Sequence, residues 1–300
     1  MNSRGHDMRR PGVFSRRTFL RLLKAGAVEL GLLSVLGGGW GVGVEPGWVV
    51  VEQVQLALRR LTPAFSGLRI AVFGDIHMGG WMNSKRLQHV VDKVLAEKPD
   101  LICLTGDYLL GHGFDEVTRR SLAVLTEILT PLAAAIPVYA VLGNHDYWTN
   151  VAAVRQMLRE SGIVELTNSI TTLTRSGEQL HLCGIDDLWE GDVRLETVLE
   201  QLPAKGAALL LAHEPDFADT SAATGRFDLQ ISGHSHGGQV VIPFYGPPVV
   251  PYLGEKYPLG LYEVNGMFQY TNRGVGMASL PVRLNCPPEV TVFTLTGGGK

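Results

Sequence analysis

The sequence predicts an α/β protein of four layers, α/β/β/α, with two β-sheets packed face to face and helices outside. Three observations lead there. Short apolar runs of strand length alternate with segments whose apolar residues recur at helical spacing. Charged and glycine-containing clusters fall where those strands end. Late segments alternate polar with apolar residues, as antiparallel strands do, so a single all-parallel sheet does not account for the chain.

The first strand is Leu68 to Phe73, and the spacing of Leu87, Val90, Val91, Val94 and Leu95 predicts a helix that Pro99-Asp100 ends. Leu101 to Leu104 is the second strand and roughly Asp115 to Leu132 the second helix; Val138 to Leu142 is a third strand and Val151 to Glu160 a third helix. Between Ile170 and Gly184, threonine-rich alternation around Ser176-Gly177 reads as an antiparallel pair. Leu209 to Ala212 and Leu229 to Ser232 are strands, and Gly260 to Glu263, Met267 to Thr271 and Glu289 to Leu295 have the late antiparallel character. The stretch from Trp48 to Leu61 stays open between an interfacial helix and a strand, because Val50, Val51, Val54, Leu58 and Leu61 have helical spacing in a valine-rich context. The domain expectation is therefore an N-terminal signal or anchor over 1–47, a junction over 48–67, the α/β domain over 68–296 and a short tail over 297–300.

Composition narrows the function. The chain has 300 residues, 45% hydrophobic and 18% charged, which suits a globular domain rather than a disordered chain or coiled coil. A formal net charge of −3 supplies no general field for nucleic acid. Cys103, Cys183 and Cys286 are odd in number and widely spaced, so they build neither a disulfide framework nor a zinc knuckle.

The start of the chain differs from the rest. Arg4, Arg9, Arg10, Arg16, Arg17, Arg21 and Lys24 face only Asp7, and the apolar, glycine-rich run Leu30 to Val44 follows. Ser15-Arg16-Arg17-Thr18-Phe19-Leu20 resembles a twin-arginine export signal. The expectation is export across, or anchoring to, a bacterial cytoplasmic membrane, with cleavage left open because no clear A-x-A site follows.

Five clusters carry the chemistry: Asp75-Ile76-His77, Gly106-Asp107, Gly143-Asn144-His145-Asp146, Ala212-His213-Glu214 and Gly233-His234-Ser235-His236-Gly237-Gly238. Singly, each reads equally as a capped turn or a packed histidine. Together, at successive strand ends that open onto one crevice, they read as carboxylate, amide and imidazole ligands for divalent ions. The neighbouring glycines, Gly74 among them, allow tight turns with positive φ and close approach of a phosphate to the backbone.

The order D-x-H, G-D, G-N-H-D, H, G-H-x-H resembles that of the calcineurin-like metallophosphoesterases, over about Leu68 to Gln239. The twin-arginine start, His213-Glu214-Pro215-Asp216 and Asn272-Arg273-Gly274 extend the resemblance to exported or membrane-associated phosphodiesterases, near enzymes that hydrolyse the pyrophosphate of UDP-2,3-diacylglucosamine. The resemblance implies that Asp75, His77 and His236 hold one metal, that Asn144, His213 and His234 hold a second, and that Asp107 bridges them. Mixed nitrogen and oxygen donors without thiolate suit Mn, Fe or Zn, and such a pair clamps a phosphoryl group and generates a hydroxide nucleophile. It further implies His145 as proton donor or charge stabiliser, with Asp146 either orienting it or capping a turn. Phe73-Gly74 departs from the family, many of whose members carry a serine before the aspartate.

Three features have a second reading. Arg273 is placed against a substrate phosphate or in a surface ion pair, and His112 near the substrate or in solvent. His89 and His181 have no partner signal. The proline-rich stretch Ile242 to Tyr257, with Phe244, Tyr245, Tyr252 and Tyr257, forms either an apolar lip for an acyl chain or a loop that seals the core. The expected partners are a phosphodiester or pyrophosphate substrate, lipid-linked in one version, and a membrane. The rival from another class is a non-catalytic, metal-stabilised cell-surface binding protein.

Overall fold

The structure, a computed structural model, describes residues 37–278 and 280–298. The basic start and most of the apolar run expected as an export signal lie outside the described residues. Among the described residues, no helix is long and apolar enough to cross a membrane.

Two six-stranded mixed sheets form the centre. In the first, the order is β1 (Val50–Leu58), β12 (Glu289–Gly297), β2 (Arg69–Phe73), β3 (Leu101–Leu104), β4 (Val138–Ala140) and β5 (Val164–Glu165). The four strands from β2 to β5 run parallel, while β12 is antiparallel to β2. In the second, the order is β10 (Gly260–Val264), β11 (Met267–Thr271), β9 (Leu229–Ser232), β8 (Ala207–Leu211), β7 (Glu178–Gly184) and β6 (Ser169–Arg175). Its four middle strands are parallel and both edge strands antiparallel. The β6–β7 hairpin turns through Ser176 and Gly177, both with positive φ, which matches the strand twist in a tight hairpin.

Side chains of alternate residues face opposite sides, and this sets the layers. Ile70 and Val72 point between the sheets, where they meet Leu209, Leu211, Ile231 and Phe293. Ala71 and Phe73 point outward, against Leu87, Val90 and Val94 of α1 (Ser84–Ala96), Leu125 and Leu129 of α2 (Glu116–Ala135), and Val154 and Leu158 of α4 (Val151–Glu160). On the far side, Cys183, Ala208 and Leu210 meet Val198 of α5 (Leu195–Gln201) and Ala222 of α6 (Ala218–Ala223). Helix starts are marked locally: Asn83, Asp115 and Asn150 each accept a hydrogen bond from a first-turn amide. The four layers are those expected.

The open reading at Trp48 to Leu61 resolves as a strand. Val50–Leu58 pairs along its whole length with β12, and Leu56 and Leu58 enter the layer between the sheets. The helical spacing misleads here because an edge strand buries its two faces unequally, so apolar side chains on both faces mimic a turn of helix. Residues 50–58 of the stretch expected as a junction thus belong to the sheet. The strand expected over 138–142 stops at Ala140, since Val141 and Leu142 already lead into the site loop.

Phe293, wholly buried between the sheets with its ring edge-on to Tyr270 at 5.1 Å, tests the packing. Phe293→Ala is expected to lower unfolding free energy by about 3–5 kcal/mol in urea denaturation. Val117→Ala, on the exposed face of α2, is expected to stay within ~0.5 kcal/mol of wild type.

Candidate metal centre

The strand ends deliver Asp75 and His77 after β2, Asp107 after β3, His213 after β8, and His234 and His236 after β9. Asn144 opens the short α3 (Asn144–Thr149) after β4. All seven are buried in one place. Backbone bonds fasten the first two loops together: the amides of Asp75 and His77 donate to the carbonyls of Gly106 and Asp107 at 2.9 and 3.1 Å.

Asp75, His77 and His236 place a ligating atom each within 4.8 Å of one another, and so do Asp75, Asp107 and His213. His77 Nε2 and His236 Nε2 face each other at 2.9 Å. Asp107 Oδ2 stands 3.5 Å from His77 Nε2 and 3.4 Å from His213 Nε2, between the two groups. His234 Nδ1 meets Asn144 Oδ1 at 3.0 Å.

The remote nitrogens select the tautomers. His213 Nδ1 donates to the carbonyl of Thr105 at 2.6 Å, and His234 Nε2 to that of Tyr252 at 2.7 Å. The lone pair of His234 Nδ1 then faces the amide oxygen of Asn144, and that of His213 Nε2 faces a carboxylate. Acceptor set against acceptor in a buried site requires a proton or a cation between them.

The electrostatics fit a cation. Burial pushes His77 and His234 down to about 3 and His236 well below the ordinary imidazole value, so these rings are neutral donors of lone pairs. Burial, with the Asp107 carboxylate adding to it, raises Asp75 to about 7. Burial opposes charge on both Asp107 and His213, yet their mutual attraction outweighs it, holding the carboxyl well below and the imidazole well above their usual ranges. A divalent ion supplies the positive charge that these carboxylates otherwise lack. The residues present therefore fit the implied metals: Asp75, His77, Asp107 and His236 on one side, and Asp107, Asn144, His213 and His234 on the other.

Gly106, Gly237 and Gly238 have the expected positive φ, and they are not alone in it. Asp75, His77, Asp107, His234 and His236 themselves have φ between +48° and +68°, a region that non-glycine residues seldom occupy and that concentrates at functional sites. Gly143 and Gly233 serve by absence of a side chain instead. A Cβ on Gly143 would lie 2.3 Å from Asp107 Oδ1, and one on Gly233 2.3 Å from Asp75 Oδ2. At Gly74 a Cβ would stand 1.9 Å from Thr105 Oγ1. That threonine occupies the room a serine at 74 would need, which accounts for the departure at Phe73-Gly74.

At two residues the second of the two expected readings holds, Asp146 capping the turn at Gly143 and Arg273 sitting in ion pairs. Asp146 does not orient the His145 ring: its buried carboxylate accepts from the amides of Asp107 at 3.0 Å, Tyr108 at 2.9 Å and Gly143 at 2.9 Å. It joins two ligand loops and fixes the backbone of Asp107. Burial, then the nearby Asp107 carboxylate, pushes it up to about 8 against the pull of these amides. Arg273 is not among the residues that line the cleft: its guanidinium is held by Glu289 and, at 2.6 Å, by Glu52, an ion pair on each side.

His145 lines the cleft, with its ring centroid 4.6 Å from that of His77 and its amide donating to Asp107 Oδ1 at 2.9 Å. Its Nδ1 is buried without a hydrogen-bond partner, and burial holds the ring below its ordinary pKa. His112 is exposed, as a loop histidine would be, and also stacks on Trp148 at 5.0 Å beside the site. His181 is a satisfied interior residue between Thr172 and the Lys205 carbonyl, and His89 lies exposed on α1.

The cleft over these ligands has a volume of about 500 Å³. Trp148 and Trp189 stand at one side; Val240, Val249, Leu280 and Val282 line another part. Trp189 lies edge-on to both Trp148 and Tyr252. Of the two tryptophans, only Trp148 carries a sequence signal for the site, standing two residues past Asp146. The stretch Ile242 to Tyr257 divides between its two readings, since Tyr257 is buried and seals the outer layer while Pro248 to Pro251 line the cleft.

Two acids that follow His213 hold the loops bearing these rings. Glu214, raised well above the usual range by burial and by neighbouring Asp187, accepts from the Leu188 amide at 3.1 Å. Asp216 accepts from the amides of Glu255, Lys256 and Tyr257 and so anchors the segment after Tyr252.

Gly233→Ala tests the geometry. The added methyl group must displace Asp75, and metal content by mass spectrometry is expected to fall together with activity, roughly 10–100-fold in metal affinity. Unchanged metal loading would remove Asp75 from the ligand set.

Comparison with known proteins places the chain in a family. The family model for calcineurin-like phosphoesterases matches residues 68–238. A metallophosphoesterase of Bacillus subtilis (strain 168), YkuE, is 33% identical over 285 residues, covering 94% of this chain and 97% of its own. The phosphodiesterase YaeI of Escherichia coli (strain K12) is 32% identical over 286 residues, covering 94% and 100%. Among solved structures, TT1561 of Thermus thermophilus aligns with a TM-score of 0.46 at 12% identity, over 70% of this chain and 91% of that one. With a matching model over more than half its length, ligands from five loops gathered in one crevice, and two relatives above 30% identity along nearly the whole chain, this protein belongs to the calcineurin-like phosphoesterases and is a metal-dependent phosphoester hydrolase.

Proposed function

We propose that the protein hydrolyses phosphodiester or pyrophosphate bonds at a two-metal centre, in a substrate whose phosphate is joined to an apolar, lipid-like part. The observation that carries this reading is the continuity of the cleft, in which Asp107, Asn144, His145, His234 and His236 share one concave surface with Val240, Val249, Leu280 and Val282. A substrate seated there puts its phosphorus at the ligands and leaves an apolar arm in contact with aliphatic side chains. The relative named as a phosphodiesterase supports the reaction class. UDP-2,3-diacylglucosamine is one substrate of this shape. The twin-arginine-like Ser15 to Leu20 and the apolar Leu30 to Val44 support export or anchoring at a membrane.

Bound divalent ions, with Mn, Fe and Zn all suited to the donors, supply Lewis acidity and an activated water at the site. The chain's own residues do the rest. Asp107 stands between the two ligand groups and fixes their spacing. Asp146, through three amides, keeps Asp107 in its left-handed conformation. His145 is neutral in the free site, because burial disfavours its charge. A phosphate beside it reverses that balance, so the ring can hold a proton against the phosphoryl oxygen and pass it to the departing oxygen. Trp148 and Trp189 exclude water from one side.

A non-catalytic, metal-stabilised binding protein is disfavoured by His145, whose ring lines the cleft beside the candidate ligands with Nδ1 lacking a hydrogen-bond partner. With metal content matched to wild type, His145→Ala is expected to lower turnover of an aryl phosphodiester by roughly 10²–10⁴-fold. Two folded, metal-loaded but inert proteins would favour the binding reading. In a panel of aryl diester, phospholipid and UDP-2,3-diacylglucosamine with Mn, Mg or Zn, the lipid-linked compounds are expected to give the higher kcat/KM. Leu280→Asp should raise KM for those alone. Equal efficiency on soluble diesters, with no effect of Leu280→Asp, would refute the lipid-linked part and leave the phosphodiesterase standing.

A further inference from the structure

Residues 240–254 carry no charged side chain, and much of this segment lies at the surface. Phe244 is fully exposed, Tyr245 is 74% and Val249 75% exposed, and Tyr252 and Leu280 are exposed beside the cleft. Exposed apolar side chains are ordinary when scattered; a run of aromatic and aliphatic ones, uninterrupted by charge, marks a contact surface. The tip is a fixed turn. The amides of Ile242 and Gly246 donate to each other's carbonyls at 3.0 and 2.9 Å, and Tyr245 donates to Ile242 at 3.1 Å. Phe244 holds a φ of +66° in that turn, outward from the protein.

The place where the chain enters the domain says what meets this surface. The amide of Val241 donates to the Leu284 carbonyl at 2.8 Å, and the amide of Arg283 donates to that of Gly41 at 2.9 Å. Gly41 also packs against Val282. The exposed turn and the entry point are therefore fastened to one short strap, 282–284. The sequence running through that entry point, Leu30 to Val44, is likewise apolar and free of charge. Val42 and Val44 are themselves exposed.

We infer that the 242–252 turn, with Leu280, is a membrane-contacting lip by which the catalytic domain lies on a lipid bilayer with its cleft mouth at the interface. The occupant is the bilayer surface itself. Aromatic rings with a polar tip, such as Tyr245 and Tyr252, suit the boundary between headgroups and acyl chains, and an uncharged turn enters it without stranding a charge in a medium of low dielectric. A protein interface ordinarily surrounds its apolar core with a charged, polar rim, and residues 240–254 carry no charged side chain.

Cys103, Cys183 and Cys286 are buried, so a single new surface cysteine takes a thiol-directed label selectively. The full chain carrying Phe244→Cys, labelled with an environment-sensitive fluorophore, is reconstituted with vesicles of phosphatidylethanolamine and phosphatidylglycerol. The expected result is blue-shifted emission and loss of intensity when brominated lipids replace ordinary ones. The same label on Glu178→Cys, an exposed hairpin residue at the opposite end of its sheet, should show neither change. Equal responses at 244 and 178, or none at 244, would overturn the inference. So would a blue shift at 244 that depends on protein concentration without vesicles, which would identify a second copy as the occupant. In a second arm, Phe244→Ser/Tyr245→Ser in the full chain should keep wild-type turnover of a soluble aryl diester while losing turnover of substrate presented in vesicles. The labelling readout needs no catalysis, so it separates failure of the lip from failure of the lipid-linked substrate.

Discussion

Two carboxylates buried among imidazoles are the constraint on which the structure depends. Asp75 and Asp107 lie in an interior that penalises charge, beside His77, His213 and His236. Acceptor faces acceptor where His234 Nδ1 meets Asn144, and such a pair needs a proton or a cation between its members. A divalent cation resolves the imbalance, and the family membership of the chain is the sequence-level expression of that requirement. The two sheets, the parallel strands and their loops serve to bring these side chains to one crevice against their mutual repulsion.

The cost shows in the backbone. Five candidate ligands adopt left-handed conformations, and the loops tolerate them because other groups hold each one: Asp146 for Asp107, and Asp75 itself for His234, whose amide donates to the Asp75 carboxylate at 3.0 Å. Ligands thus hold ligands. Arg283, wholly buried, donates to the carbonyls of Arg273, Gly274, Gly276 and Cys286. It fixes the loop whose Gly276 amide donates to the Asp75 carbonyl. Rigid support of this kind keeps a metal site competent when substrate enters and product leaves.

Selectivity is built on separate pieces tied to the same frame. Glu214 and Asp216 follow ligand His213 and hold the loops of Trp189 and Tyr252, while Gln239, three residues past His236, bonds the backbone of Ala278, Leu280 and Val282. A change in any of these residues would move the cleft walls while leaving the ligands in place. The walls can therefore differ among relatives that share one reaction.

The sequence by itself determined the layers and pointed to the candidate ligands. Short apolar runs such as Ile70 to Phe73, helical spacing from Leu87 to Val94, and D-x-H, G-N-H-D and G-H-x-H clusters at strand ends are local signals, readable within a few residues. Only the tertiary structure decided the rest, because it turns on partners far away in the chain. Val50–Leu58 is a strand because β12, over two hundred residues later, offers it an edge. Arg273 is committed to Glu52 and Glu289, and Asp146 to amides nearly forty residues upstream as well as to its own turn, so distant partners chose between the two readings each residue had in sequence. The tryptophan wall and the charge-free lip became meaningful once folding set them beside the metal ligands, since an apolar residue carries no chemistry of its own until its surroundings supply some.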